Sequence, residues 1–247
     1  MKQLFTLLVS TIVLLGHSTL VKSAENDWNY KASVYLFTAK TETSTASPFG
    51  TVSAELSFSD ALNNLDLALM GAFEASNGRW SFIGDYMMTD LSFSENTPGP
   101  ILSSAKASVK TQVFSGYALY RVHATATANF DIGGGFRWFS TDTEISLIGG
   151  AGNGLSFGAD DNWSDPLIAA RLRVNLSDRW SGTIFGDYGS FGNDNENWQV
   201  LLTLNYTIND HWLLQGGYRH MEVQNDVDGA RFSFEQSGPV IGMAYQF

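Results

Sequence analysis

The sequence predicts an all-β chain that folds as a transmembrane antiparallel up-and-down β-barrel of ten strands, with eight or twelve strands as alternatives. Three observations predict this fold. Apolar residues alternate with polar or small ones along many segments, short and long connections alternate between those segments, and the last segment ends on an aromatic residue. Because successive side chains of a strand point to opposite faces, such segments have one apolar face and one polar or small face.

The N-terminus predicts export. Residues 1–24 are typical of a secretory signal peptide, with a positively charged start, an apolar run from Leu4 to Leu20, and the small residues Ser23 and Ala24 at the cleavage site. A retained anchor helix is the weaker alternative because the apolar run is short and interrupted. We therefore assign residues 25–247 to the barrel domain and expect it to pass through the periplasm.

The predicted mature chain is acidic and has no cysteine. Without the two signal-peptide lysines, the 14 basic side chains become 12, against 25 acidic ones, which gives a net charge of −13. No basic patch indicates nucleic acid, so we predict no nucleic-acid partner. Disulfides and thiolate metal sites are excluded, and we predict no cofactor and no metal. No run of 18 apolar residues follows the signal, so a membrane location requires a closed barrel.

Alternating segments define the ten predicted strands. The clearest is 198–208, where every second residue from Trp198 is large and apolar, and polar residues such as Gln199 and Asn205 lie between them. The other strands are predicted at 29–40, 65–76, 79–93, 108–120, 125–147, 163–176, 180–191, 212–223 and 231–247. The last strand is expected to close against the first. In segment 108–120 we expect four residues to face outward: Val109, Val113, Tyr117 and Leu119.

The connections between these strands are of two kinds. Short turns are predicted at 76–80, around 122–124, at 176–180 and at 208–212, and longer or more acidic loops at 41–65, 94–106, 149–162, 192–197 and 224–230. Outer-membrane barrels have short periplasmic turns and longer extracellular loops. A soluble β-sandwich also has alternating strands, but it has no reason for this asymmetry.

Segment 41–65 is the least regular part of the chain. It contains a Ser/Thr-rich piece, a short alternating piece and the sequence SDALNNL, which predicts one helical turn capped by Ser59 or Asp60. An extracellular excursion, an insert in the lumen and an extra hairpin all remain open for this segment.

Aromatic residues gather at the predicted short-turn end. Trp80, Trp180 and Trp212 each follow a short turn directly, and Tyr245 and Phe247 lie at the end of the chain. These five residues would lie at similar heights in the barrel wall. We therefore predict that they form a membrane-interface aromatic girdle.

Charged residues lie on the strand faces opposite the apolar stripes. Because a charged side chain that faces lipid destabilises the barrel, we expect these residues to point into the lumen. They are Glu74, Asp85, Asp131, Arg137, Asp165, Arg171, Arg173, Asp187 and Arg219. Four arginines and five carboxylates favour a paired network that fills the interior of so small a barrel. A narrow pore or ligand pocket whose arginines select an anionic solute is the alternative.

Catalytic and ion-binding patterns are weak. A hydrolytic barrel needs a histidine beside a serine or a carboxylate. His123 and His211 fall in predicted short turns, and His220 lies on the upper part of a strand. We predict no enzyme, with an outer-membrane hydrolase as a distant alternative. Acidic segments at 158–165, 193–197 and 224–229 offer oxygen ligands for Ca²⁺, but none has the spacing of a 12-residue calcium loop.

Four segments carry a family resemblance: FSDALNNLDLALMGAFE at 58–74, NGRW at 77–80, WSDPLIAARLR at 163–173, and the closing strand. In the closing strand, apolar residues alternate up to the terminal Phe247, as in bacterial outer-membrane barrels. Together the four segments resemble a family of uncharacterised bacterial outer-membrane β-barrel proteins. The resemblance implies a barrel in the outer membrane and lends no established activity.

From these observations we predict a non-enzymatic, integral outer-membrane barrel, with a structural role or narrow porin-like solute passage through a charged, largely filled lumen. The alternative is a surface interaction or adhesion protein that acts through the extracellular loops at 41–65, 94–106 and 149–162. The expected partners are outer-membrane lipid and lipopolysaccharide, the barrel-assembly machinery through the C-terminal strand, and a small solute.

Overall fold

The computed structural model describes residues 28–47, 50–96, 102–149, 155–189, 195–227 and 230–247. The predicted signal peptide at 1–24 lies outside the described residues, as do parts of the five segments predicted as long loops. Within the described ranges, no helix is long and apolar enough to cross a membrane.

The described residues form twelve strands and one short helix. The strands are β1 (Asn29–Phe37), β2 (Lys40–Ser47), β3 (Gly50–Leu56), β4 (Leu65–Ser76), β5 (Trp80–Asn96), β6 (Leu102–Ala124), β7 (Ala128–Gly149), β8 (Leu155–Asn175), β9 (Trp180–Gly189), β10 (Glu196–Thr207), β11 (Trp212–Val227) and β12 (Ala230–Gln246). The helix α1 is Phe58–Asn63. All strand pairs among the described residues are antiparallel, which the short connections between consecutive strands favour.

Ten of these strands close into a barrel, which confirms the predicted fold class and strand number. Strands β4 to β12 pair in chain order, and β1 pairs with β4 on one side and β12 on the other. The closing register places Lys31 opposite Gln246 and Phe37 opposite Val240. Closure gives both backbone edges of this part of the wall a partner strand.

The irregular segment at 41–65 is mainly an extra hairpin outside the ten-strand barrel. Strand β2 continues from β1 along the same partner, since β12 pairs with β1 and then, beyond Gly238, with β2. Strand β3 returns beside β2, and α1 leads from it into β4. The cap of α1 is Ser57, whose hydroxyl accepts a hydrogen bond from the Asp60 amide at 3.2 Å. The predicted caps were wrong because the helix begins at Phe58, before Ser59.

Strands continue well into the segments predicted as loops. β6 begins at Leu102, β7 reaches Gly149 and β8 begins at Leu155, so most of 94–106 and 149–162 is sheet. The turn predicted around 122–124 falls later, because β6 runs to Ala124. These segments are rich in serine, glycine and aspartate, which have low strand propensity. They form strands here because the neighbouring strands pair with them. β6 has 23 residues, about twice the 9–11 residues that a strand needs to cross a membrane, and is about 76 Å long at about 3.3 Å per residue.

The barrel wall is apolar outside. The exposed hydrophobic residues on its outer face include Val34, Leu36, Leu69, Phe73, Ile132, Phe136, Ile184, Leu202, Leu204, Leu214, Ile241 and Met243. The predicted orientation of β6 was wrong. Val113, Tyr117 and Leu119 are buried on the lumen side, and Val109 shares their face. The residues between them, such as Phe114 and Ala118, are also apolar, so alternation alone does not distinguish the two faces of this strand.

Candidate functional site

Buried side chains occupy the lumen in two layers. The charged layer contains the carboxylates and arginines of the barrel interior. The apolar layer contains Phe139 and the hydrophobic side chains packed around it. Both layers meet on β7, where Arg137 belongs to the charged layer and Phe139, two residues farther from the short turns, belongs to the apolar layer.

Glu74 is the centre of one group in the charged layer. Lys31 Nζ lies 3.0 Å from one carboxylate oxygen of Glu74, and Arg171 Nη1 lies 2.8 Å from the other. Arg173 also donates to Glu74. One buried carboxylate therefore faces three cations. β4 and β8 are four strands apart in the sheet order, so the pair between Glu74 and Arg171 crosses the lumen.

Asp131 extends this group. It accepts hydrogen bonds from Arg171 at 2.8 and 3.0 Å and from Arg121 at 2.8 Å. Ser81 accepts another hydrogen bond from Arg171 at 2.8 Å. The group as a whole has four cations and two carboxylates, and thus a net charge of +2. We call it the Glu74 cluster: Lys31, Glu74, Arg121, Asp131, Arg171 and Arg173.

Arg137 is the centre of a second group and has no exposed surface. It donates to Asp187 at 2.8 Å, to the hydroxyl of Tyr117 at 3.1 Å, to Ser115 at 3.0 Å and to Asn197. Asp187 also accepts hydrogen bonds from Tyr117 at 2.7 Å and from Gln199 at 2.6 Å. An arginine presents five N–H donors in a planar fork, and neutral partners take up those that Asp187 does not reach.

A third group joins β11 to β5. Arg219 forms an ion pair with Asp85 and donates to the Tyr35 hydroxyl at 3.0 Å. Tyr35 in turn donates to Asp85 at 2.5 Å. In the sheet order, β11 and β5 are four strands apart, so this pair also crosses the lumen.

The structure places all nine predicted charged residues on the lumen side and divides them among these groups. Asp165 differs from the others because its contact is a hydrogen bond from Asn197 at 2.9 Å, not an arginine. Sequence reasoning missed eight participants: Lys31, Tyr35, Ser81, Ser115, Tyr117, Arg121, Asn197 and Gln199. Strand alternation could have found most of them, since Lys31 and Tyr35 lie on the face of β1 opposite the apolar stripe. Tyr117 was missed because its strand was assigned the wrong face.

The apolar layer spans the lumen beyond the charged layer. Phe139 is fully buried and stacks on Trp163, with ring centroids 4.6 Å apart. Phe234 meets the edge of Phe139 at 5.1 Å. Strands β7 and β12, which carry Phe139 and Phe234, are five strands apart in the sheet order, so this contact spans the full width of the barrel. Met221 and Val223 of β11 fill the space beside these rings.

A cavity of about 160 Å³ lies within the charged layer. The Glu74 cluster contributes Lys31, Glu74, Arg171 and Arg173 to its lining, and Arg219 and Asp85 contribute from the third group. The remaining polar lining is neutral: Ser33, Tyr35, Tyr117, Thr183, Gln199, Thr203, Asn205 and Gln215. Apolar side chains, among them Ile83, Phe185, Leu201 and Val240, complete the lining, and its charged part has more cations than carboxylates.

The predicted girdle residues lie at the short-turn end of the wall. Each tryptophan contacts a tyrosine on the neighbouring strand: Trp80 contacts Tyr120, Trp180 contacts Tyr206 and Trp212 contacts Tyr245, with ring centroids 5.0, 4.9 and 5.0 Å apart. Phe247 lies 5.0 Å from Tyr245. The sequence pattern did not indicate that Tyr120 and Tyr206 pair with these tryptophans, because the pairing depends on strand register.

The three histidines beyond residue 28 lie outside the lumen. His220 follows the inward-facing Arg219, and its ring lies 4.7 Å from that of Trp198 on the outer wall. Its Nδ1 is 3.8 Å from Glu235, beyond hydrogen-bond distance. His123 is at the end of β6, and His211 lies in a short turn against Tyr245.

Among the described residues, no group of three or more histidines or carboxylates is placed to hold a metal ion. The acidic segment at 158–165 is part of β8. The acidic segments at 193–197 and 224–229 lie partly outside the described residues.

Comparisons with known proteins identify the fold. No family model and no curated protein matches the sequence. Among solved structures, the chain is similar to the outer-membrane protease OmpT from Escherichia coli, with 12% identity, 93% of this chain and 100% of that chain covered, and a TM-score of 0.60. It also aligns with the translocator domain of autotransporter NalP from Neisseria meningitidis, with 14% identity, 99% of this chain and 94% of that chain covered, and a TM-score of 0.39. The alignment with Ail from Yersinia pestis has 10% identity, covers 90% of this chain and 100% of that chain, and has a TM-score of 0.33.

The chain has the fold of a bacterial outer-membrane β-barrel. In barrels of this class the short turns are periplasmic and the longer connections are extracellular. The membrane-interface position of the girdle of Trp80, Trp180 and Trp212 stays a prediction. The resemblance to an uncharacterised family stays a prediction.

Proposed function

We propose that this protein is a non-enzymatic integral protein of the bacterial outer membrane whose lumen is closed, and that its role is structural rather than free solute passage. The observation that carries this proposal is the contact between Phe139 and Phe234, which spans the barrel just beyond the buried pair of Arg137 and Asp187. A conducting pore needs a continuous polar path, whereas an apolar constriction blocks ions by excluding water.

The charged layer supports the same proposal. Ion pairs between strands four apart in the sheet order fix side chains from opposite walls against each other. Arg137, Arg171 and Arg219 are each at most 4% exposed at the side chain. In a barrel of this size the interior is just wide enough for side chains to fill. Buried, paired arginines of this kind act as a structural core.

Conductance tests the closed lumen. The refolded mature protein should give no steady single-channel current in a planar bilayer, because both layers obstruct the ion path. Heat-modifiable gel mobility must first show that the inserted protein is folded. Steady, ion-selective openings would contradict the closed lumen and support the narrow anion passage that the positively charged cavity favours. In that case, Arg171→Gln and Arg173→Gln should reduce anion selectivity.

A second candidate function, surface interaction, is favoured by strand length. β6, β7 and β8 have 23, 22 and 21 residues, about twice the length of a membrane crossing. We propose that the surplus forms a sheet wall on the extracellular side, continued by β2 and β3. A shortened variant that lacks this wall, folds normally and loses binding to cells or lipopolysaccharide would support this function.

We propose no proteolysis, although OmpT, a protease by name, shares the fold. At 12% identity the likeness carries the fold alone. His220 lies on the outer wall beside Trp198, away from the lumen groups. Purified, folded protein should therefore leave a mixed peptide library uncleaved. Cleavage that His220→Ala abolishes would contradict the proposal, and cleavage that this variant retains would indicate a contaminating protease.

A further inference from the structure

We propose that the cavity in the charged layer is a binding site for a small divalent oxyanion of the phosphate or sulfate kind, reached from the short-turn end. The site lies within the filled lumen proposed above, but anion binding there does not require that the lumen be closed to ions. Three independent features carry the proposal: the charge of the lining, the donors it presents and the size of the space.

The charge of the lining is unbalanced. Four cations, Lys31, Arg171, Arg173 and Arg219, face two carboxylates, Glu74 and Asp85, for a net charge of +2. Glu74 alone is shared by three of the cations. Burying uncompensated charge is costly, and an anion of charge −2 would balance this lining.

The lining is also rich in donors. Arg219 Nε is buried and has no hydrogen-bond partner among the described residues, although its Nη atoms are engaged by Asp85 and Tyr35. Arginine forks suit the oxygen geometry of phosphate and sulfate, to which they donate two parallel hydrogen bonds. Asn205 and Gln215, joined to each other at 2.9 Å, add neutral amide groups on another side of the cavity.

The size of the cavity selects among anions. A cavity of about 150 Å³ accepts a molecule the size of benzene. The observed 160 Å³ therefore accommodates a tetrahedral oxyanion with some water, but not a nucleotide or a lipid headgroup with its glycerol. The shared chemistry of phosphate and sulfate, rather than a larger organic anion, fits this space.

The way in is indicated by exposure. Side chains of Lys31 and Arg173 are each 27% exposed, whereas those of Arg171 and Arg219 are 3% and 4% exposed. Lys31 is two residues from the start of β1, and Arg173 is two residues from the end of β8, so both lie near the short turns. The apolar layer closes the opposite side. An anion would enter past Lys31 and Arg173 and then meet Arg171 and Arg219.

Calorimetric titration of the folded mature protein with inorganic phosphate tests the site. In phosphate-free detergent buffer we expect saturable binding with one site per barrel. Arg173→Gln should weaken it at least about tenfold, the effect of losing a hydrogen bond to a charged group. The matched control is Arg179→Gln, which removes an exposed arginine from a short turn at the same end and should leave the affinity unchanged.

A second variant separates the site from simple charge attraction. Thr203→Leu adds volume to the lining without changing its charge, so it should abolish binding while the heat-modifiable mobility is kept. Sulfate should compete with phosphate. Detergent doped with phosphatidylglycerol should not, because the cavity does not admit a headgroup, and competition by the lipid would overturn the assignment to a free anion.

Two results would overturn the site itself. One is a folded wild-type protein that shows no saturable phosphate binding. The other is binding that Arg173→Gln and Thr203→Leu both leave unchanged. The closed lumen is judged separately by conductance, so channel openings alongside normal phosphate binding would reject the closed lumen and keep the anion site.

Discussion

Arg137→Ala should lower the free energy of unfolding by about 3–5 kcal/mol, the cost of breaking a buried ion pair by removing one partner. Arg137 is fully buried, and its loss leaves the buried Asp187 carboxylate without its cationic partner. Tyr117 and Asn197 would lose a partner at the same time. Urea unfolding in lipid vesicles, followed by tryptophan fluorescence, measures the change.

Arg179→Ala is the matched control for this prediction. Arg179 lies in a short turn and donates one hydrogen bond to Tyr206 at 3.2 Å. Its removal should change the free energy of unfolding by no more than about 0.5 kcal/mol, as is usual for surface positions. Equal effects of the two substitutions would mean that the Arg137 group does not hold the lumen together.

A double substitution distinguishes the lost pair from the stranded charge. Arg137→Met combined with Asp187→Leu removes both charges, so the interior keeps no unpaired ion. Replacing a buried pair by hydrophobic residues of similar volume is often neutral or stabilising. We expect the double variant to be more stable than Arg137→Ala. If the double variant is as unstable as Arg137→Ala, the loss of stability comes from lost packing and not from the unpaired charge.

Gly217→Ala should destabilise the barrel by about 3 kcal/mol or more, at the upper end of the cost of overpacking. A Cβ at this position would lie 2.0 Å from the carbonyl oxygen of Leu202 on the neighbouring strand. That oxygen belongs to the backbone and cannot rotate away. β10 and β11 would have to separate, which would weaken the hydrogen bonds around Thr203. Glycine in a strand commonly marks such a close backbone approach.

Gly216 provides the control one residue away. A Cβ there would meet nothing within 4 Å. Gly216→Ala should therefore be neutral or should stabilise the strand by about 0.5 kcal/mol, since alanine has less conformational freedom to lose. Refolding yield and urea midpoints of the two variants can be compared directly. Similar behaviour of the pair would show that the predicted overlap is relieved at no cost.

The outward and inward faces of most strands were predictable from the sequence. Strand alternation placed Glu74, Arg137 and Arg219 on the lumen side, because shifting a strand by one residue would turn its charged side chains towards lipid. β6 failed because apolar residues occupy both of its faces, as Phe114 and Tyr117 show. The predicted loops failed for a different reason. Paired neighbours hold serine-rich and glycine-rich segments in the sheet against their weak propensity.

The partners within the lumen were beyond sequence reasoning. Arg171 and Glu74 are 97 residues apart in the chain, and Arg219 and Asp85 are 134 apart. Which inward-facing residues meet depends on the number of strands between them and on the stagger of the barrel. Neither quantity is encoded in the period of a single strand. The excess of cations around the cavity follows from these contacts across the lumen and not from the composition of the chain, which is acidic overall.

The sequence by itself thus predicted a barrel, with ten strands favoured over eight or twelve, an apolar outer wall, a polar interior and an aromatic end. These features follow from local alternation and from the residues at the turns. The tertiary structure alone decided that Phe139 meets Phe234 across the lumen and that four cations share one cavity. Those contacts form only when the wall closes and brings strands from opposite sides within reach of each other.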